Sequence, residues 1–205
     1  MRTLVIGASG LVGGAAADAL EAHGDEVLRA SRRSELPVDL TDPGSITALF
    51  DRVAAVEARA DAALDAVVVA VGSVPFKPLA DLTAEDYLSA YRGKVAPQLD
   101  VVRIGTPYLA DRGSFTLTTG ILAREPIRTG AAAALANGAL ESFVVSAAAE
   151  LPRGLRINAV SPTVLTEATG YHASFPGFVP VPAAEVGLAF VKAVHGVQTG
   201  QVYAL

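Results

Sequence analysis

Three glycines near the start of the chain have the spacing of a phosphate-binding turn. Gly7, Gly10 and Gly13 follow a short apolar run and precede an alanine-rich segment. Glycine permits positive φ angles and lets main-chain N–H groups approach a pyrophosphate, toward which the following helix directs its positive end. The spacing favours a nucleotide site, and an ordinary tight turn is the alternative. Three other residues of this turn belong to the predicted site: Ser9, Leu11 and Val12.

Basic residues follow at the end of the second apolar run. The stretch EVLRAS ends at Ser31, and Arg32 and Arg33 come next, about 20 residues after the last glycine. An NAD-binding fold places an acid there for the ribose hydroxyls, whereas forked guanidinium groups suit a 2′-phosphate. We therefore expect NADP(H) in preference to NAD(H), with an exposed basic turn as the alternative. Asp39, with Leu40 beside it, is placed to contact the adenine.

Alternating strands and helices must position these residues. Short β-branched runs predict strands at 3–6, 26–30, 66–71, 114–118, 155–160 and 201–204. Longer alanine-rich segments predict helices at 11–23, 43–58, 84–110, 131–151 and 183–194. The run DAVVVAVG has no alternation, which is typical of a strand buried on both faces of a parallel sheet. The pattern predicts an α/β fold. We expect a single Rossmann-like doubly wound domain over residues 1–205, with a mostly parallel, about seven-stranded sheet between two helix layers.

Composition narrows the classes of function. With 51% hydrophobic and 18% charged residues among 205, the chain is that of a globular protein with a substantial core. A net charge of −5 argues against nucleic-acid partners. Cysteine is absent, and the three histidines (His23, His172, His195) are scattered, so no metal site is expected. No apolar run approaches the ~20 residues that cross a bilayer, and we expect a cytoplasmic protein with no membrane partner.

The chain resembles the short-chain dehydrogenase/reductase family from residue 3 to residue 205. GASGLVG is similar to the family's glycine turn, although its spacing is GxxGxxG where most members have GxxxGxG. VDLTD is similar to the adenine-side segment, and LRINAVSPTVLTE resembles RVNAVSPG-x-x-x-T. The resemblance implies an oxidoreductase with a nicotinamide cofactor, whose carboxamide is bound by Thr166. It implies further cofactor contacts at Ala70, Val71, Gly72, Pro162 and Val164.

The family's catalytic pair is missing from this sequence. Members carry Tyr-x-x-x-Lys, in which the tyrosine donates a proton and the lysine lowers its pKa and holds the nicotinamide ribose. Aligning GALESF with K-A-A-L-E-x-F places Ala133 and Asn137 at these positions. Alanine has no proton to donate, while asparagine still offers a hydrogen bond to the ribose. Thr119 is the best candidate for the family's serine. Lys94 aligns with the structural asparagine that family members carry on the fourth helix.

Several groups remain as sources of the proton. Burial would lower the pKa of Lys94, although a solvated helix lysine is the alternative. Tyr171 and His172 lie in the loop that closes over substrate in this family, and a histidine is an adequate general acid. Loop residues of this kind are also commonly just solvated. Arg124 is expected at the cleft mouth, where it would attract an anionic substrate.

Three functions follow from these observations. The first is an atypical NADP(H)-dependent oxidoreductase acting on a small carbonyl or alcohol, favoured because Thr166 of the nicotinamide end is retained. The second is a non-catalytic NADP(H)-binding sensor or partner protein. The third is a non-redox isomerase or dehydratase. In this family the long fourth and fifth helices pack against their copies, so the resemblance implies a homodimer or homotetramer.

Overall fold

One parallel sheet organises the chain. The computed structural model describes residues 1–55 and 63–205, and in this part seven strands follow the order β3-β2-β1-β4-β5-β6-β7. Every neighbouring pair is parallel. The strands are β1 (Arg2–Ile6), β2 (Glu26–Ser31), β3 (Leu36–Pro37), β4 (Leu64–Val69), β5 (Leu109–Thr118), β6 (Arg156–Ser161) and β7 (Val202–Ala204). The order reverses between β1 and β4, and a ligand crevice is expected beyond the carboxyl ends of these strands.

Helices cover both faces of the sheet, as predicted. They are α1 (Leu11–His23), α2 (Pro43–Ala55), α3 (Ala84–Ala90), α4 (Ala96–Gly105), α5 (Ala131–Glu150) and α6 (Ala183–His195). The core on one face contains side chains of α2, α4 and α5, and the core on the other contains those of α1 and α6. In β4, Val67 faces the first core and Val68 the second. The uninterrupted apolar sequence of this strand follows from that two-sided burial.

The predicted helix 84–110 is wrong as one element. It consists of α3, a π turn over Tyr91–Val95, α4 and a 3-10 turn over Thr106–Tyr108, after which β5 begins at Leu109. Pro97 has no N–H to bond the carbonyl four residues earlier, that of Gly93. That carbonyl instead accepts the N–H of Ser73 at 3.0 Å. A proline and a loop contact therefore widen the helix by one residue before α4.

Other boundaries differ by smaller amounts. The two-residue β3 was not predicted, because Leu36–Pro37 is too short to show a pattern. β4 ends at Val69, so residues 70–72 belong to the following loop. The end of the predicted helix 43–58 lies outside the described residues, which follow α2 as far as Ala55.

Helix α5 combines length with low polarity. Among the described helices, it alone is long and apolar enough to cross a membrane, judged by length and composition only. Its inner side is buried in the sheet core through Ala136, Leu140 and Val144. That is the arrangement of a core helix in a globular domain.

Candidate functional site

A cleft of about 480 Å³ lies at the carboxyl edge of the sheet, where β2, β1 and β4 end. Its walls come from the glycine turn and from the loops after β2 and β4. The predicted cofactor residues that line it are Gly7, Ser9, Gly10, Ser31, Arg32, Asp39, Leu40, Ala70, Val71 and Gly72. The structure thus brings together three stretches that are far apart in the sequence.

The glycine turn is closely packed. Gly7 has φ of 90°, and a Cβ there would lie 2.3 Å from the carbonyl oxygen of Ala70. A Cβ on Gly13 would lie 2.2 Å from the carbonyl oxygen of Gly7, so Gly13 supports the turn from beneath. Gly10 caps α1 without a side chain, and the first helical bond runs from Gly14 N–H to Gly10 at 2.7 Å. The N–H groups between Gly10 and Gly14 belong to the first turn of α1, where a helix offers them no acceptor, and they are suited to a phosphate.

Charged groups lie at the end of the cleft formed by the loop after β2, which we call the outer end. Arg32 lines it, and so does Arg92 from the π turn, which sequence reasoning missed. Arg33 is exposed and lies outside the lining. Hydrogen bonds from the hydroxyl and N–H of Thr41 lower the pKa of Asp39, and the charge of Arg32 adds to the effect. An ionised carboxylate and the Arg32 guanidinium therefore share this end, whereas Arg92 Nη1 donates to Glu85 Oε1 at 3.1 Å.

Lys94 packs against Gly72, which lines the cleft where the loop after β4 forms its inner end. Its Nζ donates to the carbonyl oxygen of Thr119 at 3.0 Å. Its stem passes over Gly72, where a Cβ would lie 2.8 Å from the Lys94 Cγ and Cδ atoms. Burial lowers the pKa of Lys94 to about 8, and the negative charge of Glu141 partly opposes that shift. Lys94 is therefore a partly buried lysine whose ammonium is bound to a main-chain carbonyl.

Asn137 approaches the same place from α5. Only 3% of the residue is exposed, and its Oδ1 atom has no hydrogen-bond partner. Its amide nitrogen lies against Gly120, where a Cβ would be 3.1 Å away. A buried acceptor without a partner costs about 1–3 kcal/mol. The atom is therefore suited to a hydroxyl group that a ligand brings, such as that of a ribose.

Thr119 belongs to a hydrogen-bond network centred on Glu141. Its hydroxyl donates to Glu141 Oε1 at 3.0 Å, and the Ser161 hydroxyl donates to the same oxygen at 3.1 Å. Arg124 Nη1 contacts both carboxylate oxygens, and its Nη2 donates to Ser161 at 2.8 Å. Arg124 is exposed and paired with Glu141, and its expected role in attracting an anionic substrate stays a prediction. Sequence reasoning missed Glu141, although its position four residues after Asn137 places both on one helix face.

An apolar cluster occupies the region of the absent tyrosine. Ala133 is 3% exposed and packs with Ile121 and Leu122. Phe175 and Phe178, from the loop after β6, cover this group and meet edge to face at 5.4 Å. The side chains that surround Ala133 in this cluster are all apolar.

Three other predicted cofactor residues, Pro162, Val164 and Thr166, follow β6 in the chain. Pro162 accepts the N–H of Ile121 at 2.9 Å, and Val164 accepts that of Val181 at 3.0 Å. Thr166 is exposed, and its N–H donates to the Val181 carbonyl at 2.9 Å. These contacts place the loop beside the end of β5.

Tyr171 and His172 lie in the loop after β6 and have other contacts than Lys94 has. Tyr171 is 57% exposed, with its ring 6.4 Å from that of Phe76. His172 Nε2 lies 2.9 Å from the carbonyl oxygen of Leu165, so that nitrogen carries the hydrogen and donates. The contact holds the loop in place, and a catalytic role for either residue stays a prediction.

Gln98 joins the loop after β4 to the end of β5. This fully buried side chain donates through Nε2 to the carbonyls of Val71, at 3.2 Å, and Thr118, at 2.9 Å. Its Oε1 accepts the N–H of Thr118 at 3.0 Å. The loop after β4 is thereby fixed relative to the end of β5.

Comparison with known proteins agrees with this arrangement. A family model described as Enoyl-(Acyl carrier protein) reductase matches residues 7–195, which is most of the chain. The chain belongs to the short-chain dehydrogenase/reductase family. Membership in this oxidoreductase family accounts for the sheet order and for the cleft between β1 and β4. A search of curated proteins found no match.

Solved structures share the whole fold of this chain. The protein lin1944 from Listeria innocua is 45% identical, with a TM-score of 0.92 over 100% of this chain and 99% of its own. A small-chain dehydrogenase is 26% identical, with a TM-score of 0.82 over 100% of this chain and 95% of its own. A small-chain dehydrogenase in complex with NADPH is 24% identical, with a TM-score of 0.84 over 100% and 96%. At that identity the likeness is one of fold.

Proposed function

We propose that this protein is an NADP(H)-dependent oxidoreductase of a small carbonyl or alcohol, in which Lys94 handles the proton. The observation that carries the proposal is the position of Lys94. A cationic side chain with a pKa of about 8 lies against Gly72 of the cleft lining and reaches the Thr119 carbonyl. Alanine and asparagine have replaced the family's tyrosine and lysine, so this is the group there whose pKa suits proton transfer near neutrality.

The outer end of the cleft supports a dinucleotide with a 2′-phosphate. The N–H groups of the first turn of α1 suit the pyrophosphate, and Arg32 suits the extra phosphate. Asp39 is ionised at neutral pH and able to accept from the adenine amino group. A related fold has been solved with NADPH, which agrees with this choice.

The inner end supports the chemistry. A bound nicotinamide cofactor would supply or accept a hydride. Asn137 Oδ1 would accept a hydrogen bond from a ribose hydroxyl of that cofactor, which would give the buried atom a partner. Lys94 donates a proton to the oxygen of the carbonyl during reduction and takes it back during oxidation. Glu141, held by Arg124, keeps part of the Lys94 charge at neutral pH.

The first test is a calorimetric titration with NADPH and, separately, with NADH. Hydrogen bonds to charged groups contribute about 1.5–3 kcal/mol, so Arg32→Ala should weaken NADPH roughly 10–100-fold and leave NADH unchanged. Arg33→Ala is the matched control, because this neighbouring arginine does not line the cleft. Binding of neither nucleotide would exclude the proposal.

The second test is NADPH oxidation with a panel of aldehydes and ketones. Lys94→Met keeps the aliphatic stem and removes the proton, and should lower turnover by about 10²–10⁴ without changing NADPH affinity comparably. Lys192→Met is the control, since Lys192 lies on α6 near the Tyr203 ring. Unchanged turnover in Lys94→Met would remove Lys94 from the reaction.

One observation favours the non-catalytic alternative. The apolar cluster over Ala133 fills the region in which family members carry the proton donor. A sensor or partner protein would bind NADPH as above, with no carbonyl in the panel oxidising it. The same two experiments therefore separate the alternatives.

A further inference from the structure

Two of the three histidines meet at the edge of the sheet opposite the cleft. His23 is the last residue of α1, and His195 is the last residue of α6. Asp25 lies between them, immediately before β2. The ligand atoms of these three side chains all lie within 4.8 Å of one another. The helix ends bring together residues that are separated by most of the chain.

Asp25 is the buried centre of this cluster. Its side chain is 2% exposed, and His195 Nε2 lies 3.0 Å from its Oδ1 and 3.1 Å from its Oδ2. The buried Thr3 hydroxyl donates to Asp25 Oδ2 at 3.0 Å and fixes the carboxylate plane. Outer hydrogen bonds of this kind orient metal ligands in proteins.

His23 supplies an exposed and adjustable third group. Its ring lies 4.1 Å from the ring of His195, tilted by 45°. Ligand atoms in a tetrahedral site with bonds of about 2.0–2.2 Å are roughly 3.3–3.6 Å apart. The Asp25 and His195 atoms are already that close, and rotation of the exposed His23 side chain closes the remainder.

We propose that His23, Asp25 and His195 bind a divalent ion of the zinc class. Two imidazoles and one carboxylate are the donors that Zn²⁺, Co²⁺ and Ni²⁺ take in proteins, with water completing the shell. The site is remote from the cleft, so the ion acts on structure. It joins the ends of α1 and α6, the two helices that cover one face of the sheet.

Calorimetry and thermal unfolding of the untagged, metal-free full chain test the proposal. Zn²⁺ at about 100 times its Kd should raise Tm by about 5–10 °C. Loss of an outer-shell partner costs 10–100-fold in affinity, so His23→Ala should cost at least about that much. His23→Ala removes an exposed side chain and leaves the Asp25–His195 contact, so the variant is expected to fold.

The remaining histidine is the matched control. His172→Ala alters a loop at the other edge of the sheet and should bind Zn²⁺ as the unaltered protein does. A visible Co²⁺ spectrum of tetrahedral type, lost in His23→Ala, would support the assignment. Absence of heat and of a Tm shift with Zn²⁺ and Co²⁺, or equal binding by His23→Ala, would overturn it. These readouts do not depend on NADPH or on turnover.

Discussion

A Cβ atom on residue 72 would lie 2.8 Å from both Cγ and Cδ of Lys94, so the glycine and the lysine are sterically coupled. Gly72 lies in the loop after β4, and Lys94 lies in the π turn before α4. The absence of a side chain at residue 72 lets the lysine lie flat and reach Thr119. The position of Nζ therefore depends on two residues from different elements.

This coupling predicts the stability of a double mutant. Gly72→Ala forces the Lys94 stem to move and should cost about 1–3 kcal/mol of unfolding free energy. Lys94→Ala removes the obstructing atoms, so the two changes together should cost less than their sum, by about 0.5–3 kcal/mol. Urea unfolding of the four proteins measures the difference. Gly138→Ala, with no atom near the new Cβ, should instead stabilise α5 by about 0.5–1 kcal/mol. Strict additivity would contradict the contact.

The lowered pKa of Lys94 predicts a pH dependence of stability. Its pKa is about 8 in the folded chain and 10.5 in an unperturbed lysine, so between these values the unfolded chain binds more protons. Unfolding free energy from this group therefore rises with pH across that window, by up to about 1.4 kcal/mol per unit. Lys94→Met should lack this rise. Parallel unfolding curves for the two proteins from pH 8 to pH 10.5 would show that the lysine is not buried.

Glu141, on α5, should affect the pKa of Lys94. Its charge raises the pKa of Lys94 against the larger effect of burial. Glu141→Gln removes that charge but keeps an acceptor for Thr119 and Ser161, so the pKa of Lys94 should fall further. An NMR titration of Nζ measures it. Glu150→Gln, at the C-terminal end of the same helix, should leave the titration unchanged. An upward shift in Glu141→Gln would reverse the electrostatic interpretation.

The outer groove between α4 and α5 is the surface on which we propose that two copies associate. Leu99, Val102 and Phe143 line a hollow of about 600 Å³ there. Ser146→Arg adds a charge at its exposed rim and should shift the protein to smaller species in light scattering. Ala48→Arg, on α2, is the control for an added surface charge. A monomeric unaltered protein would exclude association.

Much of the fold was readable from local pattern. The buried strand β4 and the amphipathic α6 have apolar spacings set by their own surroundings, so their type was predicted correctly. The break in the helix at Tyr91–Val95 was not predicted. It depends on Pro97 and also on a hydrogen bond between Gly93 and Ser73, which lies in another loop. Interactions between distant segments leave little trace in a short window.

The site divides in the same way. The glycine turn and Arg32 were predicted because a fixed spacing along one βα unit carries them. Arg92 and Glu141 were missed, since each enters the site only through the packing of helices on the sheet. The pairing of His23 with His195 depends on where two helices end, which spacing along the chain does not reveal.

The π turn has a consequence for insertions and deletions. Ala96 N–H bonds the carbonyl of Tyr91, five residues back, so the turn holds one residue more than an α-helix would. Deleting any one residue between 91 and 95 would let the helix continue in α geometry and rotate what precedes it by about 100° relative to α4. Gln98 anchors α4 to the strands, so the rotation would fall on Arg92 and Lys94. The positions of Arg92 and Lys94 relative to the cleft therefore depend on the number of residues in the π turn as well as on their types.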